Sequence, residues 1–168
     1  MGAILEAAAA LNRAAPGGVL MALDLGSKTI GVALSDADRT LASPLTTLRR
    51  AARLTPDLQA LVALADARHA TGFVLGLPRN MDGSEGPRCD STRSFARNLA
   101  RLDPRPILLW DERLTTMAAQ DVLDAAGLTQ KRRAALVDRL AAAHILEAAL
   151  VALAGRESSN QRHGSENG

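Results

Sequence analysis

From residue 19 onward the chain alternates between short continuous apolar runs and segments with helical spacing of apolar positions. Val19 to Leu25 is apolar except for Asp24, and after the turn Gly26-Ser27-Lys28 a second run extends from Thr29 to Leu34. Two such runs joined by so short a connection predict an antiparallel hairpin. A third strand is expected over Leu41 to Leu48, confined to a sheet edge by Pro44, which has no amide hydrogen to give to a neighbour. Thr55-Pro56 reads as an N-cap followed by proline at the first helical position, and Leu58, Leu61, Val62 and Leu64 then recur at helical intervals. Gly72 to Leu77 is a buried strand ending at Pro78. Ser91 to Leu102 is a helix with Phe95, Leu99 and Leu102 on one face, and Pro106 to Trp110 is a further buried strand. Two helices, about Thr115 to Ala126 and Gln130 to Ala154, complete the pattern.

This order, three strands followed by alternating helices and strands, predicts one α/β domain over residues 19–154. Its sheet is mixed and carries helices on its faces. Residues 1–18, alanine-rich and closed by Pro16-Gly17-Gly18, read as a short, helical N-terminal extension, and residues 155–168 as a disordered tail.

Composition adjusts this picture in three ways. Phe73, Phe95 and Trp110 are the only aromatic residues among 168, so the core is built from aliphatic side chains and alanine. A single cysteine, Cys89, excludes an internal disulfide, argues against structural zinc and fits the reducing cytoplasm. No apolar run reaches the ~20 residues a membrane span needs. The net charge of +2 does not by itself indicate nucleic acid. Two local clusters, Arg49, Arg50 and Arg53, then Lys131, Arg132 and Arg133, have the composition of phosphate contacts or of plain solvated faces.

The chemistry lies in acids with the wrong neighbours. Asp24 interrupts an apolar strand, where an unpaired carboxylate costs several kcal/mol or takes up a proton. Capping of the turn at Ser27 and Lys28 is the alternative role. Asp138 lies on a helical face with Ala134, Ala135, Ala141, Ala142 and Ile145, so it needs a metal or a distant arginine. Asp111 and Glu112 follow a buried strand, where open α/β sheets place their sites, and spacing does not choose between them. No Ser-His-Asp or Cys-His arrangement accompanies these acids. Clustered carboxylates without a nucleophile suit magnesium or manganese, and two such ions about 4 Å apart can activate water against a phosphodiester.

Four segments carry a family resemblance: Asp24-Leu-Gly-Ser-Lys28-Thr-Ile-Gly31, Gly76-Leu-Pro-Arg-Asn-Met-Asp-Gly-Ser-Glu-Gly86, Asp111-Glu-Arg-Leu-Thr-Thr116 and Val137-Asp-Arg-Leu-Ala-Ala-Ala-His-Ile-Leu146. In this order, and spanning about Val19 to Ala154, they resemble the YqgF family, also called RuvX, of Holliday-junction resolvases or pre-16S rRNA nucleases. The resemblance implies a ribonuclease H-like fold with a five-stranded sheet of order 3-2-1-4-5. It implies Asp24, Glu112 and Asp138 as catalytic, Mg2+- or Mn2+-binding residues, choosing Glu112 over Asp111. It also implies phosphodiester hydrolysis in the 5′-end maturation of pre-16S rRNA, with four-way DNA junctions as the alternative substrate, in a cytoplasmic protein that is a monomer or homodimer. Lys28, Arg79, Asn80 and Arg113, beside the acids in these segments, are the candidate substrate contacts. Arg79 departs from the family pattern, which has an apolar residue after Gly-Leu-Pro.

In that sheet order one strand separates Asp24 from Glu112, about 10 Å at the backbone. Gly76 ends the intervening strand, and its missing side chain is expected to leave the gap a metal needs. Two other functions compete: a phosphate-loop ATP-binding module, which would need a second related domain, and a nucleic-acid-binding factor that does not cleave. An acid on the apolar face at Asp138 and the scarcity of aromatics for base stacking weigh against the latter.

Overall fold

The computed structural model describes residues 1–115, 129 and 140–155. Its elements run β1 (Ile4–Leu5), α1 (Ala8–Ala14), β2 (Val19–Leu25), β3 (Thr29–Ser35), β4 (Ala42–Arg49), α2 (Leu54–Ala67), β5 (Ala70–Leu77), α3 (Pro87–Leu102) and β6 (Ile107–Asp111), followed by a helix over residues 140–155. The strands form one sheet of order β1-β6-β5-β2-β3-β4. β2, β3 and β4 are antiparallel neighbours, whereas β5 lies parallel to β2 and β6 parallel to β5. An antiparallel meander continued by parallel crossover strands is the ribonuclease H-like arrangement.

The sheet has six strands rather than five. The additional strand is β1, which pairs in parallel with β6 through Ile4↔Ile107 and Leu5↔Leu108. Gly2 N–H donates to Ala100 O at 2.8 Å and Ile107 N–H to Ala3 O at 2.8 Å, fastening the chain start to the end of α3 and the start of β6. Leu11 of α1 is fully buried. The stretch read as an extension thus covers an edge that would otherwise expose the unpaired backbone groups of β6. Alanine-rich sequence hid this, because of its large apolar side chains only Leu11 is fully buried, with Leu5 partly so.

Alternation along β2 divides its side chains between two cores. Met21 and Leu23 pack with Phe73, Leu75, Leu61, Phe95 and Leu99, between the sheet and α2 and α3. Leu20 and Ala22 pack with Val74, Leu108, Leu11, Ile145 and Leu146, between the sheet and α1 and the 140–155 helix. Burial on both faces explains why β2, β5 and β6 are continuous apolar runs. β4 is the edge strand expected, with Pro44 opposite Ala33 where the register shifts.

Two helix starts differ from expectation. α2 begins at Leu54, which places Thr55 and Pro56 inside its first turn, and Arg53 is the N-cap residue. A first turn tolerates proline because its amide hydrogens lack helical partners anyway. Asp57 in the same turn accepts the Ala51 N–H at 2.9 Å and faces Arg50 at 3.7 Å. α3 begins at Pro87, one turn before Ser91, with Gly86 as N-cap residue. Most of the last predicted helices, including Asp138 and the Lys131–Arg133 cluster, and residues 156–168 of the expected tail lie outside the described residues.

Candidate active site

The register of the sheet fixes where the acids meet. Leu23 pairs with Leu75, so Asp24 lies one step further along β2 beside Gly76, and Gly76 pairs in turn with Trp110 of β6. Glu112 follows the end of β6, its amide donating to Leu77 O at 3.1 Å. Asp24, Gly76 and Glu112 therefore form a row across the carboxyl ends of three parallel strands, where open α/β sheets carry their sites. Even positions along β2 point toward the layer of the 140–155 helix, so Asp24 projects from the same face as Ala22.

Glu112 reaches back across Gly76. A Cβ on Gly76 would lie 2.5 Å from Glu112 Oε1, 3.1 Å from its Cγ and 2.7 Å from Ile145 Cδ1. The glycine is thus required by the close approach of Glu112 and Ile145, which take up the space expected to lie open between the acids. Across that gap Glu112 comes close enough to Asp24 for the two carboxyls to act on each other. Burial, followed by the negative charge of Asp24, pushes the Glu112 carboxyl up to about 7, against an opposing effect of Arg88.

The Asp111–Glu112 pair separates by environment. Asp111 accepts from Arg113 Nη2 at 2.6 Å, from Arg113 Nε at 3.0 and 3.1 Å and from the Arg113 amide at 3.0 Å, with Arg79 Nη1 at 3.8 Å. The Arg113 hydrogen bond holds its carboxyl below the usual range. Asp111 fastens the loop after β6, while Glu112 turns toward Asp24.

Around the acids, a cavity of about 370 Å³ is lined by Glu112, Arg79, Asn80, Arg113, Met81 and Arg88. Three of the four candidate substrate contacts border it, and all three already have partners. Arg113 grips Asp111, and Arg79 lies 3.6 Å from Glu85 and 3.7 Å from Glu6. Asn80 donates from its side chain to Ser84 Oγ at 3.0 Å and from its backbone to Ser84 O at 2.9 Å, shaping the turn over Asp82-Gly83. Lys28 lies apart from this cavity, exposed on the β2–β3 turn. Arg88 was missed: it stands in the first turn of α3, in a stretch read as loop because the helix was expected to start at Ser91. Glu6 was missed because its segment was read as an extension, yet it bridges Arg79 and Arg93, the latter at 2.7 Å.

Among the described residues no third acid, histidine or cysteine joins Asp24 and Glu112. The donor set nevertheless fits a hard divalent cation: two carboxyls pressed together hold a proton where a cation would satisfy both. Gly76 is what lets Glu112 take this position, since a Cβ there would meet its Oε1 at 2.5 Å.

Residues 18–152 match the RuvX family, described as Holliday junction resolvase. The chain belongs to this family. Several relatives are described as "Putative pre-16S rRNA nuclease". The protein of Rhodospirillum rubrum is 58% identical over 139 residues, 82% of this chain and 86% of its own. That of Paracoccus denitrificans is 57% identical over 133 residues, 79% of this chain and 84% of its own. That of Rhodobacter capsulatus is 56% identical over 147 residues, 88% of this chain and 90% of its own. Among solved structures, Thermus thermophilus RuvC in complex with a Holliday junction substrate aligns with 88% of this chain and 97% of that one, with a TM-score of 0.48 and 13% identity. Within the span matched to the RuvX family lie all three candidate acids, Asp24, Glu112 and Asp138.

Proposed function

We propose that this RuvX-family chain is a divalent-metal-dependent nuclease that hydrolyses phosphodiester bonds, with Asp24, Glu112 and Asp138 as its metal-holding residues. The observation that carries this is the approach of Glu112 toward Asp24 across Gly76, at the carboxyl ends of the parallel strands, although burial and the charge of Asp24 raise the cost of ionising Glu112. A structural role alone would favour replacing such a pair with neutral groups. Asp138 is supported by sequence spacing: it stands seven positions before Ile145, the residue of the last helix that meets Gly76. Bound Mg2+ or Mn2+ would supply Lewis-acid activation of water and stabilise the leaving oxygen. The chain's own part is to hold the carboxylates and to position the strand. Arg88 borders the cavity beside Glu112 and its charge acts on that carboxyl, so it is placed to face a substrate phosphate. Arg113 and Arg79 are anchored to Asp111, so they would shape the cavity wall and offer their remaining N–H groups to the strand.

The substrate we favour is the 5′ region of pre-16S rRNA, because relatives at 56–58% identity carry that description over most of their length. Cysteine usage and this substrate support a cytoplasmic location; among the described residues no helix is long and apolar enough to cross a membrane. Four-way DNA junctions are the second substrate to test, on the strength of the family's description. Purified protein is to be incubated with a pre-16S rRNA 5′ fragment, single strands and a four-way junction, in Mn2+, Mg2+ or EDTA. Cleavage of the rRNA fragment that needs metal and is lost in both Glu112→Gln and Asp138→Asn is the expected result. Equal cleavage by wild type and either variant would overturn the assignment of the acids.

A further inference from the structure

A cavity larger than the one at Glu112 lies elsewhere on the molecule. It has a volume of about 850 Å³ and lies on the α2–α3 side, between the β2–β3 turn, the β4–α2 loop and α3. Lys28, Arg49, Arg50 and Arg53 line it, faced by two acids, Asp57 and Asp90. Arg50 is committed inward: its Nη1 donates to Gly26 O at 2.9 Å, and its Nε lies 3.7 Å from Asp57, which also accepts the Ala51 N–H. Lys28, Arg49 and Arg53 differ. All three are exposed, and among the described residues none makes an ion pair or a side-chain hydrogen bond. They contrast with the arginines near the acids, Arg79, Arg93 and Arg113, each tied to a carboxylate.

This cavity is linked to the one at Glu112 through shared lining residues. A third cavity, of about 260 Å³, shares Ser27, Arg50 and Phe95 with the large one and Arg88 with the cavity of Glu112. Side by side, the three trace a path over the carboxyl ends of β2 and β5, with an arginine lining both members of each adjacent pair and Glu112 at one end. Uncompensated cations along a groove attract a polyanion, and a path that begins at a phosphodiester-cleaving site receives the same strand.

We propose that Lys28, Arg49 and Arg53 form a second phosphate-binding site, which grips the backbone of the nucleic-acid strand at a distance from the bond that is cut. This rests on the nuclease function proposed above and adds to it a length requirement. A strand long enough to follow the path engages both ends, and a short one engages only the acids.

The test uses the full chain and a fluorescein-labelled single-stranded RNA series of about 4 to about 20 nucleotides, with binding measured in EDTA over a range of salt. The variant is the double substitution Arg49→Gln, Arg53→Gln. Both side chains are exposed and, among the described residues, make no hydrogen bond or ion pair, and Arg49→Lys, Arg53→Lys serves as the charge-preserving control. For the longest strand, the Gln variant is expected to bind roughly tenfold more weakly. Its salt dependence should be shallower by about 0.7 in logarithmic slope for each lost contact. The Lys control should stay near wild type, and the difference should vanish for the shortest strand. Cleavage in Mn2+ should show the same length-dependent loss, in KM rather than kcat. Equal affinities and salt slopes for the wild type and the Gln variant at every length would overturn the proposal, as would a loss of equal size at every length. Length-dependent binding that needs these arginines, in a protein that cuts nothing, would support the second site and overturn only the hydrolytic function. A wild type that binds no nucleic acid would overturn both.

Discussion

Replacing Gly76 with alanine adds one methyl group at the place where the two acids meet. That methyl carbon would fall 2.5 Å from Glu112 Oε1 and 2.7 Å from Ile145 Cδ1, both well inside van der Waals contact. The crowded atoms are the ends of flexible side chains rather than backbone, so the fold can yield. Overpacking of this kind costs about 1–3 kcal/mol, and a strand alanine regains about 0.5–1 kcal/mol that glycine loses in chain entropy. A net loss of about 1 kcal/mol follows, a fall of about 2–4 °C in Tm. The larger effect falls on position. Glu112 must withdraw by about 1 Å to restore normal contact, and misplacement of that size can cost on the order of 100-fold in rate. Urea unfolding, Mn2+ titration by calorimetry and cleavage of a pre-16S rRNA fragment measure the three consequences. Near-native stability with weakened metal binding and a roughly 100-fold loss of cleavage is expected. Wild-type metal affinity and cleavage in a folded Gly76→Ala protein would refute the placement of the site across this glycine.

Three further outcomes follow from the same geometry. Glu112 binds its proton more tightly in the folded chain, at about 7 against an ordinary 4.5. In EDTA its penalty is therefore absent below about pH 4.5, grows as pH rises and is complete above about pH 7, approaching about 3 kcal/mol. Glu112→Gln should accordingly be more stable than wild type at pH 8 in EDTA, with no gap near pH 4.5 and a narrower gap in Mn2+. Urea midpoints that coincide at pH 8 would contradict this. Asp111→Asn should lower stability by about 1–2 kcal/mol through its weakened bonds to Arg113, yet keep cleavage within about tenfold. If its cleavage falls as far as that of Glu112→Gln at equal folding, the roles of the two acids are reversed. Leu11→Ala should cost about 2–5 kcal/mol, because its side chain is fully buried beneath the sheet. A loss under about 1 kcal/mol in chemical denaturation would return residues 1–18 to the status of an appendage.

Much of the fold was legible because its signals are local. The runs at Val19–Leu25, Gly72–Leu77 and Pro106–Trp110 reflect strands buried on both faces, and Pro44 marked the edge. What was missed depends on partners distant in sequence. β1 is two residues long and gains its meaning from pairing with β6, about a hundred residues later. The early starts of α2 and α3 arise because Arg53 and Gly86 cap without side-chain hydrogen bonds, leaving no cap residue to read.

The site divides along the same line. Asp24 could be recognised because a charge within a central strand conflicts with its neighbours. The choice of Glu112 over Asp111 could not be made from spacing, because both stand at one strand end. It emerges in three dimensions from Arg113, which follows directly in sequence and turns back to claim Asp111, leaving Glu112 to cross Gly76. A short-range ion pair thus sets which of two adjacent carboxylates meets Asp24. The cations divide in the same way. Apart from Arg88, the arginines near the acids are held by Glu6, Glu85 and Asp111, so the path is not uniformly basic, and most of its unpaired charge lies at the far end, on Lys28, Arg49 and Arg53. A strand drawn in by that charge would reach the acids from the β4–α2 side, passing Arg50 and then Arg88. Attraction is thereby separated from cleavage, and the carboxyls are spared a strongly basic neighbourhood that would compete with a metal for their charge.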